Sequence, residues 1–269
     1  MAVQPFRDPP ELEPAREEPD RRPAVHPAGH KAFGLRGRHW AWAAIAVAAG
    51  YLALGVVAVT GAVQILTREP TDAELRRAAD AEVARRWQAW PAGRIFPERL
   101  TYLPGTDEVE YATRAGIAPG TDCKSAVDAS IAPILQRHGC RAVLRATYAD
   151  QLEGVVVTVG VVVFPDQQAA YKARREIPGS PTALRAAAFP GTVAARFDDA
   201  ARQVGTAERG GPYLVLTTAG HSDGRPAAAV RGKQQPGDLF GLVPQLGHAI
   251  AQNLSTRALP DCTSADWQC

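Results

Sequence analysis

Few residues in this chain have the type and spacing to do chemistry. The sharpest candidate is Gly220-His221-Ser222-Asp223-Gly224, which fits G-x-S-x-G. In a serine hydrolase that pattern places a nucleophile on a tight strand-to-helix turn. A histidine then takes the hydroxyl proton, and an acid orients the histidine. Here the strand is present, as "YLVLTTA". After Gly224, however, come Arg225-Pro226 and a short "AAAV", not a long helix. The later acid and histidine would have to be Asp238 and His248, both near the end of the chain. No alternating series of strands and helices precedes the site. Ser222-Asp223-Gly224 between apolar runs is also good turn chemistry. We read the stretch as a hairpin turn and keep Ser222 as the minor catalytic candidate.

The other reactive side chains form no set. Four cysteines, Cys123, Cys140, Cys262 and Cys269, all lie in the C-terminal two-thirds. They make no CxxC and no zinc-spaced cluster. Outside a reducing cytoplasm an even count points to disulfides. His26, His30, His39, His138, His221 and His248 are scattered. His138 suits a helix C-terminus, where a cation is favoured. Asp198, Asp199 and Glu208 lack the pattern of a calcium loop. No phosphate-binding glycine motif occurs. No metal site and no cofactor are expected. Net charge is +2 and arginine greatly outnumbers lysine, which looks like genomic composition bias. No basic face marks a nucleic-acid binder.

These residues need a scaffold, and its first element is apolar. From Trp40 to Thr67 no residue is charged. As a helix, residues 40–66 span about 40 Å, against the roughly 30 Å of a hydrocarbon core. Trp40 and Trp42 sit where an interfacial aromatic belt belongs. The lipid bilayer is therefore an expected partner, through residues 40–66. Lys31, Arg36 and Arg38 crowd the N-terminal flank, whereas Arg68 stands beside Glu69 on the other. That asymmetry, with all the cysteines beyond the span, predicts a cytoplasmic N-terminus and an extracytoplasmic C-terminal domain in the plasma membrane. A cleaved signal peptide would need an over-long charged region and apolar core, so an uncleaved anchor is expected.

Four segments follow from this. Residues 1–38, rich in Pro, Glu and Arg, read as a disordered cytoplasmic tail. Residues 39–67 are the transmembrane helix. Residues 68–92 form a juxtamembrane amphipathic helix, opened by a Thr71/Glu74 capping box. Its stripe of Leu75, Ala79, Val83, Trp87 and Trp90 should pack on its own domain. Residues 93–269 form the extracytoplasmic domain. Residues 108–117 read as a strand and 122–139 as a helix broken near Asp128 or Pro133. Two strong strands follow, joined by a hairpin at "QLEG", then an amphipathic helix at "PDQQAAYKARREI". Residues 177–208 read as mixed loop and helix. "YLVLTTA" is a central-type strand and "PAAAVRG" a weak element. The last helix closes the domain, with Asp238 as its N-cap. This order predicts an α+β fold with a ferredoxin-like βαββα start, its helices on one face of an antiparallel sheet.

Cys123 and Cys140 flank the broken helix. Were residues 124–138 one straight helix, its ends would stand more than about 20 Å apart at 1.5 Å per residue, and a disulfide needs Cα atoms within about 7 Å. Pairing Cys123 with Cys140 therefore requires the bend, and the short loop of Cys262 with Cys269 completes the favoured connectivity.

From "RWQAWPAGRIFPERLTY" through Cys123, "GCRAVLRATYAD" and "TVGVVVFPD", the chain resembles a family of actinobacterial single-pass membrane proteins of uncharacterised function. The resemblance covers about residues 70–175. It is similar in layout to proteins with a cytoplasmic tail, one membrane helix and a small disulfide-bonded α+β domain at the cell envelope. The sensor domains of mycobacterial serine/threonine kinases share that broad plan. The resemblance implies topology and no catalytic residues. The leading expectation is a non-enzymatic, membrane-anchored extracytoplasmic sensor or interaction domain. It would bind a protein or a cell-envelope ligand such as a peptidoglycan fragment, and no nucleic acid. The alternatives are an extracytoplasmic serine hydrolase using Ser222 and a structural subunit of an envelope or secretion complex.

Overall fold

The computed structural model describes residues 36–103, 108–178, 183–230, 240–258 and 260–261. The expected disordered tail, the Asp238 cap and the Cys262–Cys269 pair lie outside these described residues, in whole or nearly so. The chain divides into two compact units, Met1–Glu69 and Pro70–Cys269.

In the first unit, α1 (Arg36–Thr67) is one helix. Its 29 residues from His39 to Thr67 are long and apolar enough to cross a membrane. Its apolar side chains are exposed, Trp40, Leu54 and Leu66 among them. Two hydroxyls within it return to their own helix: Thr60 Oγ1 donates to the Val56 carbonyl and Thr67 Oγ1 to that of Val63, each at 2.8 Å. Both hydroxyl protons are thus satisfied without water, as a lipid environment requires.

The second unit opens with α2 (Asp72–Ala89), whose Thr71/Glu74 capping box forms as expected. The turn-length α3 (Ala92–Ile95) follows. Then come β1 (Arg99–Tyr102), β2 (Glu110–Ile117), α4 (Ala132–Arg137), β3 (Ala142–Ala149), β4 (Val155–Val163) and α5 (Gln167–Glu176). The chain ends with β5 (Val204–Gly210), β6 (Tyr213–His221), α6 (Ala227–Val230) and α7 (Leu242–Ser255). The fold is α+β: six antiparallel strands form one curled sheet in the order β1-β2-β3-β4-β6-β5.

β4, "VVVTVGVVV", is buried at every position. Such a strand needs cover on both faces, and this corrects the expectation that the helices share one face. On the first face, Val157, Val159 and Val161 meet Leu246, Ile250 and Leu254 of α7, with Val83 of α2 in the same core. α7 touches both edge strands, so the sheet curls around it. On the second face, Val162, Leu214 and Leu216 pack with Leu135 of α4 and Ala170 and Ala173 of α5.

The ferredoxin-like start does not form either. In a split βαβ unit the third strand lies between the first two and runs antiparallel to both. Of the three strands concerned, β2, β3 and β4, it is the second, β3, that lies between the others, antiparallel to both. β2 is also paired to β1, a strand absent from the expected order.

Residues 183–203 form a strap across the second face. Its large side chains sit over strand glycines: a Cβ on Gly160 would meet Leu184 at 2.4 Å, and one on Gly116 would meet Phe189 at 2.3 Å. Buried threonines tie the strap down. Thr147 Oγ1 donates to the Ala187 carbonyl at 2.7 Å, and the Ala187 N–H donates to Thr158 Oγ1 at 3.1 Å.

Candidate functional site

Ser222 lies in a turn, but that turn closes no hairpin. β6 already has partners on both sides, β4 and β5. After the turn the chain enters the four-residue α6 and adds no strand to the sheet. The Ser222 N–H donates to the Gly154 carbonyl at 3.0 Å, and the Gly224 N–H to the His221 carbonyl at 3.1 Å. Asp223 Oδ1 accepts the Arg225 N–H at 3.0 Å while the Arg225 guanidinium grips the same carboxylate. The Arg225 hydrogen bonds hold the Asp223 carboxyl down at about 2. Among the described residues no hydrogen bond joins Ser222 Oγ to a histidine or a carboxylate. His221 packs against the Phe240 ring at 5.5 Å, and His248 is on the exposed side of α7.

Both glycines that complete the pattern have packing reasons. A Cβ on Gly220 would lie 2.1 Å from the Ala201 carbonyl oxygen, where the strap crosses β6. Gly224 has φ +76°, and a Cβ there would meet the Arg196 carbonyl oxygen at 2.6 Å. The two glycines of G-x-S-x-G are thus accounted for by a strap and a left-handed turn residue.

Cys123 and Cys140 form a disulfide with Cα atoms 6.4 Å apart. The bend that permits it lies where expected. The N–H groups of Ile131 and Ala132 both donate to the Asp128 carbonyl, and α4 begins after that turn with Pro133 near its start. Asp122 caps the Cys123 turn by accepting from Ser125 N–H at 2.7 Å, and that bond heads the causes holding its carboxyl below the usual range. His138 is the C-cap of α4, with Nε2 2.8 Å from Glu176 Oε1.

The paired acids are bound by the chain itself. Asp198 caps a single 3₁₀ turn, Asp199–Ala201. Asp199 accepts from Arg185 Nε at 2.8 Å and from the Ala186 N–H at 2.9 Å. Burial opposes ionisation of Asp199, but these bonds and the Arg202 charge outweigh it and hold the carboxyl below its ordinary value. Among the described residues no group of three His, Cys, Asp or Glu is placed to hold a metal ion.

Sequence reasoning missed two features. The first is a buried ion pair in α2, with Glu82 and Arg86 each 4% exposed and 2.6 Å apart. Arg86 Nη1 also donates to the Asn253 and Leu254 carbonyls, at 3.1 and 3.0 Å, near the C-terminal end of α7. The Arg86 and Arg94 guanidiniums lie over the Trp90 ring, 4.6 and 3.8 Å from its centroid. In sequence Arg86 is one of a run of exposed-looking arginines, and only its i, i+4 spacing from Glu82 hinted at a pair.

The second feature is a groove of about 880 Å³ on the second sheet face, over β1 and β2. α4, α5 and the strap cover the rest of that face and stop short of it. The register sets Arg99 beside Thr113 and Thr101 beside Tyr111, all on the side opposite Leu100 and Ala112, which enter the α7 core. Tyr111 is 46% exposed. The β3–β4 turn and the strap's Gly191-Thr192 form the walls. Gln151 Oε1 accepts the Tyr111 N–H at 3.3 Å. Glu153, on the rim, has φ 56°, the one positive value at a non-glycine among the described residues. A smaller groove of about 650 Å³ lies between α2, the start of α5 and the β5–β6 turn, where Arg257 and Asp80 pair at 2.6 Å.

No family model matches the chain, and neither a curated protein nor a solved structure matches it.

Proposed function

We propose that this chain is a single-pass, membrane-anchored interaction domain. Its C-terminal unit faces outside the cytoplasm and binds an envelope protein or cell-wall ligand without catalysing a reaction. The observation that carries this reading is the pairing of α1, an exposed apolar helix of spanning length, with a disulfide in the unit that follows. A disulfide needs an oxidising compartment to form and persist, so the domain that holds it belongs on the far side of the anchor. The turn chemistry around Ser222 favours binding over acyl transfer. The open groove over β1 and β2 gives the domain a place to bind.

Reporter fusions test the topology. A reporter active only outside the cytoplasm should work when fused after residue 269 and fail when fused at residue 1. The reverse pattern would overturn the proposal and put the disulfide in a reducing compartment.

A further inference from the structure

We propose that the groove over β1 and β2 is a saccharide site, with the Tyr111 ring as its stacking platform. This rests on the binding reading above and narrows it to a ligand class.

The floor of the groove favours a ligand read by side chains. β2 is an interior strand, paired with β1 on one side and β3 on the other. Where β3 pairing ends, Gln151 Oε1 takes the Tyr111 N–H. Along β2, among the described residues, no continuous row of free backbone groups remains for an extended peptide to add a strand, which is the usual source of affinity in that mode. A half-exposed ring remains, set among hydroxyl, amide and charged groups.

Those groups are mixed in kind. Among the described residues, no hydrogen bond or ion pair engages the Arg99 guanidinium, the Thr113 hydroxyl, Gln151 Nε2 or the Glu153 carboxylate. Together they offer donors and acceptors with one positive and one negative charge, so the site selects for neither sign. A ligand without net charge suits this lining, and one with several hydroxyls that both give and accept and with one apolar face for the ring engages all of these groups. A pyranose has that combination: its axial C–H groups form the apolar face and its equatorial hydroxyls the polar edge. Few polar groups around an aromatic floor is also the general pattern of small-molecule sites.

The rim adds a second observation. Asp150 to Glu153 is a tight turn: the Glu153 N–H donates to the Asp150 carbonyl at 3.0 Å, and Asp150 Oδ1 accepts the Val155 N–H at 2.7 Å. The left-handed position falls on Glu153, although Gly154 is next to it. A non-glycine in that region carries strain, which concentrates where a side chain is needed for function. Here the strained residue bears the groove's free carboxylate.

The test is titration calorimetry on the full chain in lipid nanodiscs. The probes are four neutral tetrasaccharides (tetra-N-acetylchitotetraose, cellotetraose, maltotetraose and mannotetraose), an anionic sialylated trisaccharide and a neutral tetrapeptide. Saturable binding of at least one neutral tetrasaccharide is expected. Tyr111→Ala should weaken it by about tenfold, the size of a lost aromatic contact, and Tyr111→Phe should hold it within about twofold. Glu153→Gly should also weaken binding while leaving the protein at least as stable. Thermal unfolding of each variant shows that it is folded. No saturation by any of the four up to about 10 mM, beyond the weak end of specific affinity, overturns the assignment. So does saccharide binding unchanged in Tyr111→Ala, or saturation by the peptide or the anionic sugar alone. The fusion experiment reads orientation without any ligand, so a silent groove with the expected topology removes the saccharide assignment and leaves the anchored-domain reading standing.

Discussion

At the residue scale, both glycines of the G-x-S-x-G pattern are fixed by close packing. Gly220 and Ser222 should therefore respond to the same change to very different extents. Gly220→Ala forces a methyl group against the Ala201 carbonyl and should cost about 2–3 kcal/mol, the upper part of the range for an overpacked core. Ser222→Ala should cost less than about 0.5 kcal/mol, as partly exposed substitutions away from special features do. Urea unfolding of the two variants gives the comparison. A Ser222→Ala loss equal to that of Gly220→Ala would show that the serine has a role the turn does not explain.

Asp199 gives a pH prediction at the same scale. Its folded carboxyl titrates below the unfolded value of about 4. The stability it contributes is therefore fully present above about pH 4 and is lost as pH falls below that, through the folded value. Asp199→Asn should lower stability at neutral pH by about 1 kcal/mol, a figure reduced for its partial exposure. It should also flatten the loss of stability below about pH 4. An acid limb unchanged in the variant would mean that other carboxylates govern it.

At the element scale, α2 is part of the C-terminal unit and not a loose stalk. Arg86 neutralises Glu82 and satisfies two carbonyls near the end of α7, so it ties the first helix of that unit to its last. Removing one partner leaves a buried charge behind. Glu82→Leu alone should cost about 3–5 kcal/mol, whereas pairing it with Arg86→Met should recover much of that loss. The recovery will be incomplete, because the two α7 carbonyls lose a donor. Denaturation of the single and double variants measures the coupling. A chain beginning at residue 92 lacks both α2 and this tie, and should fail to give cooperative unfolding.

At the scale of the whole molecule, the disulfide joins the turn before α4 to Cys140, in the short link between α4 and β3. The bridge spans 17 residues, so reducing it should lower stability by about 3 kcal/mol by loop-closure entropy. The turn at Asp128 and the single β-bridge of Val127 to Leu184 sit within or beside the closed loop. Amide exchange in residues 122–131 and at the start of the strap should therefore rise on reduction, before β4 and β6 are affected. Uniform exchange across the sheet would show that the bridge restrains the whole fold equally.

The elements with strong local signals were legible from the chain alone. An uncharged run marked α1, Thr71 and Glu74 marked the start of α2, and a valine-rich run apolar on both faces marked β4 as a central strand. The Cys123–Cys140 bend could be argued because a fixed rise per residue leaves a straight helix no way to close the bridge. β1 and β5 were not legible. "RLTY" is four residues long, and "VGTAERG" carries two glycines and two charges. Each is a strand because a stronger neighbour, β2 or β6, supplies the pairing, and such propensity is largely a matter of context. The side of the sheet taken by each helix was also hidden, since burial on both faces of β4 does not say what covers them. Only the tertiary structure brought Ala201 over Gly220, buried Arg86 and left Tyr111 uncovered. Each depends on segments far apart in sequence, and no local period or spacing records where a strap crosses a sheet or where it stops.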